Sequence, residues 1–554
     1  MEKDGFPKDS RTNSTANSND QSKQQGASQS TSQGIVVHAL NMAMGTMSSR
    51  VLGLLRDQLL AAFFSRTVTD AWAAAFRLPN MFRRLLGEGS LSVSFVPIFV
   101  HTRLQDPDHQ QSQNLVNSFY SILLIVLTTL TSIGILFPEP FLNVLLDDNY
   151  SQISGKFELT VRMARIMFGF IFLMSTYAFF MGILNALGKF ALAAFAPTLW
   201  NVAMIISTVL PQNWFPQVGD GLAWGVLAGG VLQVGILIPA LRREGYLPRL
   251  TFNLRHSGAL QVWRNMIPGM LGTGLSHITT VVNLRFMSSL GEGPITFVYF
   301  ADRLLELPLS LVSVSLGTAL LPTLTHLWAQ NKKQEAKDTS HYYLRLNWFV
   351  AVPAAVGLFM LSQPILRVLF QHGKFGPEDV RATTVVLQVY SLTVLVVSSV
   401  RVLVPSFYAM KNTWLPATVS GLCLLVHVIL APILMRQDGL RGLVVSSLIS
   451  STLNLVCLAL AYNRLVFPMG WIRLLMGLWR TVIAGLGMVM ALVVMSLPSE
   501  RIPDTVIAQG IYLAVRGSLA LAVYLVISYF LKSEEMHKTI GVFAAKIRRR
   551  LKSG

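Results

Sequence analysis

The first strongly apolar stretch of this chain carries Ser49-Arg50-Val51-Leu52-Gly53-Leu54-Leu55-Arg56-Asp57, two cations and an acid where a membrane span is normally greasy. A charge at the centre of a bilayer costs roughly 2.5–3.5 kcal/mol on insertion scales. The conflict recurs at Arg77, Arg83, Arg84, Glu88, Arg285, Asp302, Arg303 and Glu306. Facing lipid, several such groups would together cost on the order of 10 kcal/mol or more. Helices packed around a wet, positively charged cavity remove the conflict. Such a cavity suits an anion on its way across a membrane.

Hydrophobic residues make up 52% of the 554 and charged ones only 13%, about half the share in a soluble domain. Runs of the roughly 20 apolar residues that a spanning helix needs recur near 35–64, 71–100, 114–137, 158–186, 193–211, 219–241, 260–290, 295–327, 342–370, 379–409, 414–434, 440–462, 473–497 and 507–531. The fold class is therefore an all-α polytopic membrane protein with about fourteen transmembrane helices. The net charge of +18 falls in short loops, a tail and a few spans, which fits membrane topology and an anionic partner rather than nucleic acid. Cys423 and Cys457 lie in apolar segments and offer neither a disulfide framework nor a metal motif. No phosphate-binding loop, nucleophile elbow or zinc helix is present, so no catalysis and no cofactor are expected.

The positive-inside rule gives the orientation. Arg242, Arg243, Arg249 and Arg255, then Lys332, Lys333 and Lys337, and finally the basic tail fall on one side. Acidic Asp147-Asp148 falls on the other. Both termini are expected in the cytoplasm.

An internal repeat is also visible. Arg77 lies twenty residues before Pro97, and Asp302 twenty before Pro322; Leu184–Lys189 echoes Ser406–Lys411. The offset of six spans preserves orientation, so the halves are parallel repeats, a known transporter plan. The expected organisation is a disordered tail over 1–33, a six-helix lobe over 34–241, a linker over 242–259 and a second six-helix lobe over 260–462. Two further helices over 463–531 and a basic tail over 532–554 complete it.

On a helix Arg50 and Asp57 share a stripe, with Arg56 about 100° away. Arg77 and Arg84 share another, and Glu88 is placed to pair with Arg84; Glu306 is placed to pair with Arg303. Arginines outnumber acids, and guanidinium forks match phosphate oxygens bidentately, which favours a diphosphate. Arg83 and Arg84 equally fit span ends that snorkel to headgroups, and Arg162, Arg165, Arg345, Arg367 and Arg381 fit that role better. His38, His277 and His427 show no metal-ligand spacing and suit packing or hydrogen bonding.

The same residues resemble the MurJ (MviN) lipid II flippases of the multidrug/oligosaccharidyl-lipid/polysaccharide exporter superfamily. The resemblance rests on Ser49-Arg50-Val51-Leu52-Gly53 with Arg56-Asp57, Thr69-Asp70-Ala71, Phe76-Arg77-Leu78-Pro79-Asn80 with Arg83-Arg84, and Glu88-Gly89. It continues through Ala194–Leu199, Tyr299–Leu304, Phe370–Phe375 and Pro405–Tyr408. It covers about residues 35–531. It implies two six-helix lobes, two extra helices bordering a lipid-tail groove, and lipid II (undecaprenyl-diphosphate-linked muropeptide) as the substrate carried across a bacterial inner membrane. It also implies substrate contact by Arg50, Arg56, Arg83 and Arg303, with Asp57, Asp70, Glu88, Asp302 and Glu306 as supporting acids. Membrane lipids and cell-wall synthesis proteins are the further partners it suggests. Spans 260–290 and 440–462 hold no Asp or Glu, so no sodium site carries over, and coupling to the membrane potential stays open. A flippase for another polyprenyl-diphosphate glycan, or a non-transporting cell-wall scaffold, stays open too; a drug extruder for organic cations would want an acidic cavity.

Reporter fusions check the topology: those after residues 250 and 335 should report cytoplasm, and one near Asp148 the outside. A periplasmic signal at residue 250 would overturn the orientation.

Overall fold

The computed structural model describes residues 45, 47–87, 90–310, 315–465, 470–496 and 505–538. The expected disordered tail, Glu88, His38 and most of the basic tail lie outside them. A first helix, α1, covers 47–63. There follow α2 (Arg66–Gly87), α3 (Ser90–Leu104), α4 (Gln110–Leu136), short α5 (Pro138–Leu145) and α6 (Asp148–Ser151), α7 (Lys156–Met167), α8 (Gly169–Ala186), α9 (Phe190–Val209) and α10 (Asp220–Arg243). The second series is α11 (Ser257–Ser288), α12 (Pro294–Leu309), α13 (Ser315–Ala329), α14 (Lys333–Met360), α15 (Ser362–Phe370), α16 (Pro377–Ala409) and α17 (Trp414–Leu465). Two last helices, α18 (Trp471–Val494) and α19 (Val506–Phe530), complete the described fold.

Local chemistry explains several boundaries. Pro138, Pro294 and Pro377 open α5, α12 and α16 in the first turn, where a missing amide proton costs no helical hydrogen bond. Asp379 accepts from the Gly376 amide at 2.8 Å and fixes the start of α16. Gly439 breaks α17 into two limbs at φ 54°, ψ −127°, a backbone region that residues with a Cβ avoid.

The repeat reappears element by element. Adding 225 to Ser90, Pro97 and Leu104 gives Ser315, Pro322 and Ala329: α3 and α13 have the same 15-residue length and the same internal proline. Short α5 and α15 follow the long α4 and α14, and the two limbs of α17 answer α9 and α10. In the first lobe α10 packs on α8 and α9, and α2 on α7 and α8; in the second α16 packs on α12, α14 and α17. One helix crosses the division. The α11 helix packs against α3 and α4 of the first lobe as well as α17 of the second, with Trp263 beside Phe119. The α18–α19 pair packs on α14, where the Tyr524 hydroxyl donates to the Phe349 carbonyl at 2.7 Å.

Among the described residues nine helices are long and apolar enough to cross a membrane, against the fourteen spans expected. The nine are counted over the described residues, and several expected spans include residues outside them. Within the run expected at 295–327 the described helices are α12 and α13, of 16 and 15 residues. The α2 helix carries Arg66, Asp70, Arg77, Arg83 and Arg84, and the two limbs of α17 meet at Gly439 and count there as one. Arg345 does not snorkel: it contacts Glu534 at 2.6 Å and Glu535 at 3.2 Å.

Gly439→Val should destabilise the protein by about 1–3 kcal/mol, because the side chain meets a disfavoured backbone. Gly421→Ala, in a helix with open space around it, should be neutral or stabilising. Thermal unfolding in detergent checks the pair.

Candidate functional site

Between the lobes lies a cavity of about 930 Å³. Its wall includes Arg50 and Arg56 of α1, Arg83 and Arg84 of α2, Arg303 of α12 and Arg401 of α16, against Asp57 and Glu306 as the acids among the described residues. Phe76, Phe170, Met174, Tyr177 and Trp200 supply apolar wall. Six guanidiniums facing two carboxylates make the lining cationic.

One carboxylate organises the centre. Asp57 is 1% exposed. Its Oδ1 accepts from Arg56 Nη2 at 2.6 Å and from the Tyr299 hydroxyl at 2.9 Å. Its Oδ2 lies 3.3 Å from Arg303 Nε. Arg56 also donates to Asn201 Oδ1 at 3.0 Å and stacks 4.7 Å from the Trp200 ring centre. Asn201 is itself held by the Ser49 carbonyl at 2.9 Å. Arg303 donates to the Tyr299 hydroxyl at 3.1 Å and lies 3.5 Å from Glu306. Asp57 thus joins a guanidinium of the first lobe to one of the second.

The residues singled out from sequence divide. Arg50, Arg56, Arg83, Arg303, Asp57 and Glu306 all line the cavity, with Arg83 Nε donating to Asn80 at 2.9 Å. Asp302 does not; it faces a separate small chamber with Arg77. Asp70 does not either, and Glu88 lies outside the described residues. Arg84 was noted but left out of the expected binding set. Arg401 and Asn201 went unmarked, and Tyr299 was noted only as the first residue of the Tyr299–Leu304 motif. An arginine well inside the apolar run 379–409 was signal enough for Arg401; the roles of Asn201 and Tyr299 depend on partners 145 and 242 residues away. Arg285 donates to the carbonyls of Asn143, Val144 and Leu146, and so serves the turn after α5.

Asp70 builds a latch at one end of the molecule. It is fully buried against Lys156, at 2.8 Å. Across the lobe boundary it accepts from the Gly293 amide at 2.7 Å, the Thr296 amide at 2.8 Å and the Thr296 hydroxyl at 2.6 Å. These are first-turn donors of α12, which favour an anion. Thr67–Glu292 and Arg66–Asp379 add cross-lobe contacts. The Lys374 amide donates to Ala62 at 2.9 Å beside Gly373, where a Cβ would strike that carbonyl. The exposed cavity residues Arg50, Glu306, Leu307 and Arg401 come from the opposite ends of α1, α12 and α16. The cavity is closed at the latch and reachable from the other end.

A family model described as lipid II flippase MurJ matches residues 59–513. The chain belongs to that family. A probable lipid II flippase MurJ of Bdellovibrio bacteriovorus is 47% identical over 91% of this chain and 96% of its own length. The lipid II flippase MurJ of Burkholderia cenocepacia is 33% identical over 77% and 84%. Among solved structures, a lipid II flippase MurJ in an inward closed conformation superposes with a TM-score of 0.74 at 24% identity, covering 88% of this chain and 98% of the other. An inward-facing multidrug resistance transporter, itself described as belonging to the MOP superfamily, gives 0.63 at 16% identity, over 79% and 98%. The two-lobe family fold is therefore this chain's fold.

Lys156→Met would leave Asp70 buried without its charge partner. The expected cost is about 3–5 kcal/mol, seen as a lower melting temperature in detergent. Asp57→Ala should likewise destabilise, and the double variant Asp57→Ala with Arg56→Ala should recover part of the loss.

Proposed function

We propose that the chain carries lipid II from the inner to the outer leaflet of the bacterial cytoplasmic membrane by alternating access, supplying cell-wall synthesis. It acts as a transporter and not as an enzyme. The excess of guanidinium groups in a cavity shared by two lobes carries this reading. A diphosphate brings the charge that these groups lack, and an organic cation would be repelled. With both termini cytoplasmic, the reachable end of the cavity faces the cytoplasm, where lipid II is made.

The head group meets Arg50 and Arg401 first. Among the described residues neither makes an ion pair or hydrogen bond. Arg56 and Arg303 are engaged by Asp57, and a phosphate oxygen competes with that carboxylate for both. Displacing Asp57 removes a tie between the lobes while the substrate supplies a new one, so binding alters the balance between the two orientations. The polyprenyl tail stays in lipid along α18 and α19, where Leu486, Met490, Val493, Ile507, Ile511 and Val515 are exposed. A membrane potential negative inside favours outward movement of an anionic head by about 2.3 kcal/mol per charge per 100 mV.

Reconstituted protein with fluorescent lipid II tests the proposal, with complementation of a flippase-depleted strain beside it. Arg50→Ala, Arg303→Ala and Arg401→Ala should each slow delivery roughly ten- to a hundred-fold, since a hydrogen bond to a charged group contributes about 1.5–3 kcal/mol. The Arg→Lys variants should fall between, keeping charge but losing the fork. Wild-type delivery by normally expressed Arg50→Ala and Arg303→Ala would refute the mechanism.

A further inference from the structure

A second chamber, of about 140 Å³, lies apart from the large cavity. Arg77 enters it from α2 of the first lobe. Asp302, Asn283, Tyr390 and Ser447 enter it from α12, α11, α16 and the second limb of α17. The space suits a few water molecules, each of which takes about 30 Å³ in the liquid. Arg77 Nε is buried and makes no hydrogen bond among the described residues. Nor do Arg77 and Asp302 form a contact ion pair among them; both line the chamber. The twenty-residue spacing to Pro97 and Pro322 makes them matched positions of the repeat, so the two lobes present opposite charges to one another there.

Asp302 is half-buried, and an acid so placed in a membrane protein needs a counter-charge or a proton. The charged and titratable groups acting on Asp302 are Arg77 and Arg84 from α2, Arg303 and Glu306 from its own helix, and Tyr390 from α16. From α11, Asn283 presents an amide and passes the polar chain to His427, whose Nε2 lies 2.7 Å from Asn283 Oδ1 and whose Nδ1 lies 2.9 Å from Ser446 Oγ. His427 has no charge partner among these contacts, so Asp302 is the group set against a fixed cation. A metal cation in this chamber would meet the Arg77 guanidinium. A proton does not, because it neutralises the carboxylate and leaves no ion behind.

We propose that the chamber is a proton-binding site, with Asp302 as acceptor and Arg77 as the opposing charge, and that its occupancy biases which way the lobes face. A hydronium ion reaching the chamber transfers one proton to a carboxylate oxygen of Asp302 and is left as water, and the same proton leaves by the reverse step. Ionised Asp302 attracts Arg77 across the lobe boundary and supports the latched arrangement. Neutral Asp302 ends that attraction and leaves the guanidinium facing a neutral wall, which favours separation of α2 from α12. Access follows from position. Asp302 lies six residues along α12 from Thr296, about 9 Å from the latch, so opening the latch brings water from that side. The coupling of this proton to lipid movement rests on the function proposed above; the response of the lobes to pH does not.

The test uses the full chain in nanodiscs without lipid II. Cys423 and Cys457 are replaced by serine, and spin labels are placed through Ser65→Cys and Arg381→Cys, exposed positions on opposite lobes at the latched end. Pulsed distance measurements between about pH 5 and pH 8 should show the separated population growing as pH falls, by about ten-fold if the two orientations differ ten-fold in proton affinity. Asp302→Asn should hold the low-pH distribution at every pH. Asp302→Glu should keep the response with a displaced midpoint, and His427→Gln should keep it unchanged. A parent protein indifferent to pH would overturn the proposal. So would an Asp302→Asn variant that responds like its parent, or a response abolished by His427→Gln and retained by Asp302→Asn. Lipid II delivery is then measured in vesicles with an imposed pH difference and the potential clamped. Absence of any delivery there refutes the flippase reading and leaves the spin-label result to judge the proton site.

Discussion

A carboxylate shared between two guanidiniums from different lobes is the interaction on which this molecule turns. Asp57 lies against Arg56 at 2.6 Å and Arg303 at 3.3 Å, with Tyr299 donating to it. Asp57 and Arg56 are buried and Arg303 is partly so, and charges so placed in a membrane protein are tolerable only because each answers the others. Glu306, 3.5 Å from Arg303, is the second acid of this cluster, so the cationic excess of the cavity comes from Arg50, Arg83, Arg84 and Arg401 around it. That excess suits an anion, and the Asp57 tie is one that a stronger acceptor can replace.

The latch at the other end works on a different principle. Asp70 is matched by Lys156 and by three donors at the start of α12, so it needs no outside ligand. The two devices lie on the same pair of helices: α2 carries Asp70 and Arg77, and α12 carries Thr296, Asp302 and Arg303. Any tilt of α12 against α2 therefore moves the latch, the chamber and the cavity wall together. This shared mounting ties an event at the head-group site to access at the far end.

Much of this was legible in the chain because charge in an apolar run has few permitted explanations. Arg50, Arg56 and Arg303 declared a cavity by their cost alone, and the spacing of Arg77 to Pro97 and Asp302 to Pro322 declared the repeat. The face of each helix was harder. Successive residues turn by about 100°, so Asp302 and Arg303 serve different compartments although they are neighbours in sequence. Lys156 lies just before the expected span at 158–186 and was not singled out from the sequence. Its burial against Asp70 depends on a fold that brings positions 86 residues apart into contact.

The energies required are of the right size. Moving a two-state protein from about 1:99 to 99:1 takes about 5.5 kcal/mol of differential binding. A diphosphate that gains two or three hydrogen bonds from guanidiniums, at about 1.5–3 kcal/mol each, supplies that amount if it engages them in only one orientation. The condition on orientation is met by geometry: Arg56 is on α1 and Arg303 on α12, so one anion can hold both forks only while the lobes bring those helices together at the cavity. Rocking the lobes apart at that end would divide the pair, weaken the hold and release the head group. Release then follows from the same contacts that gave capture.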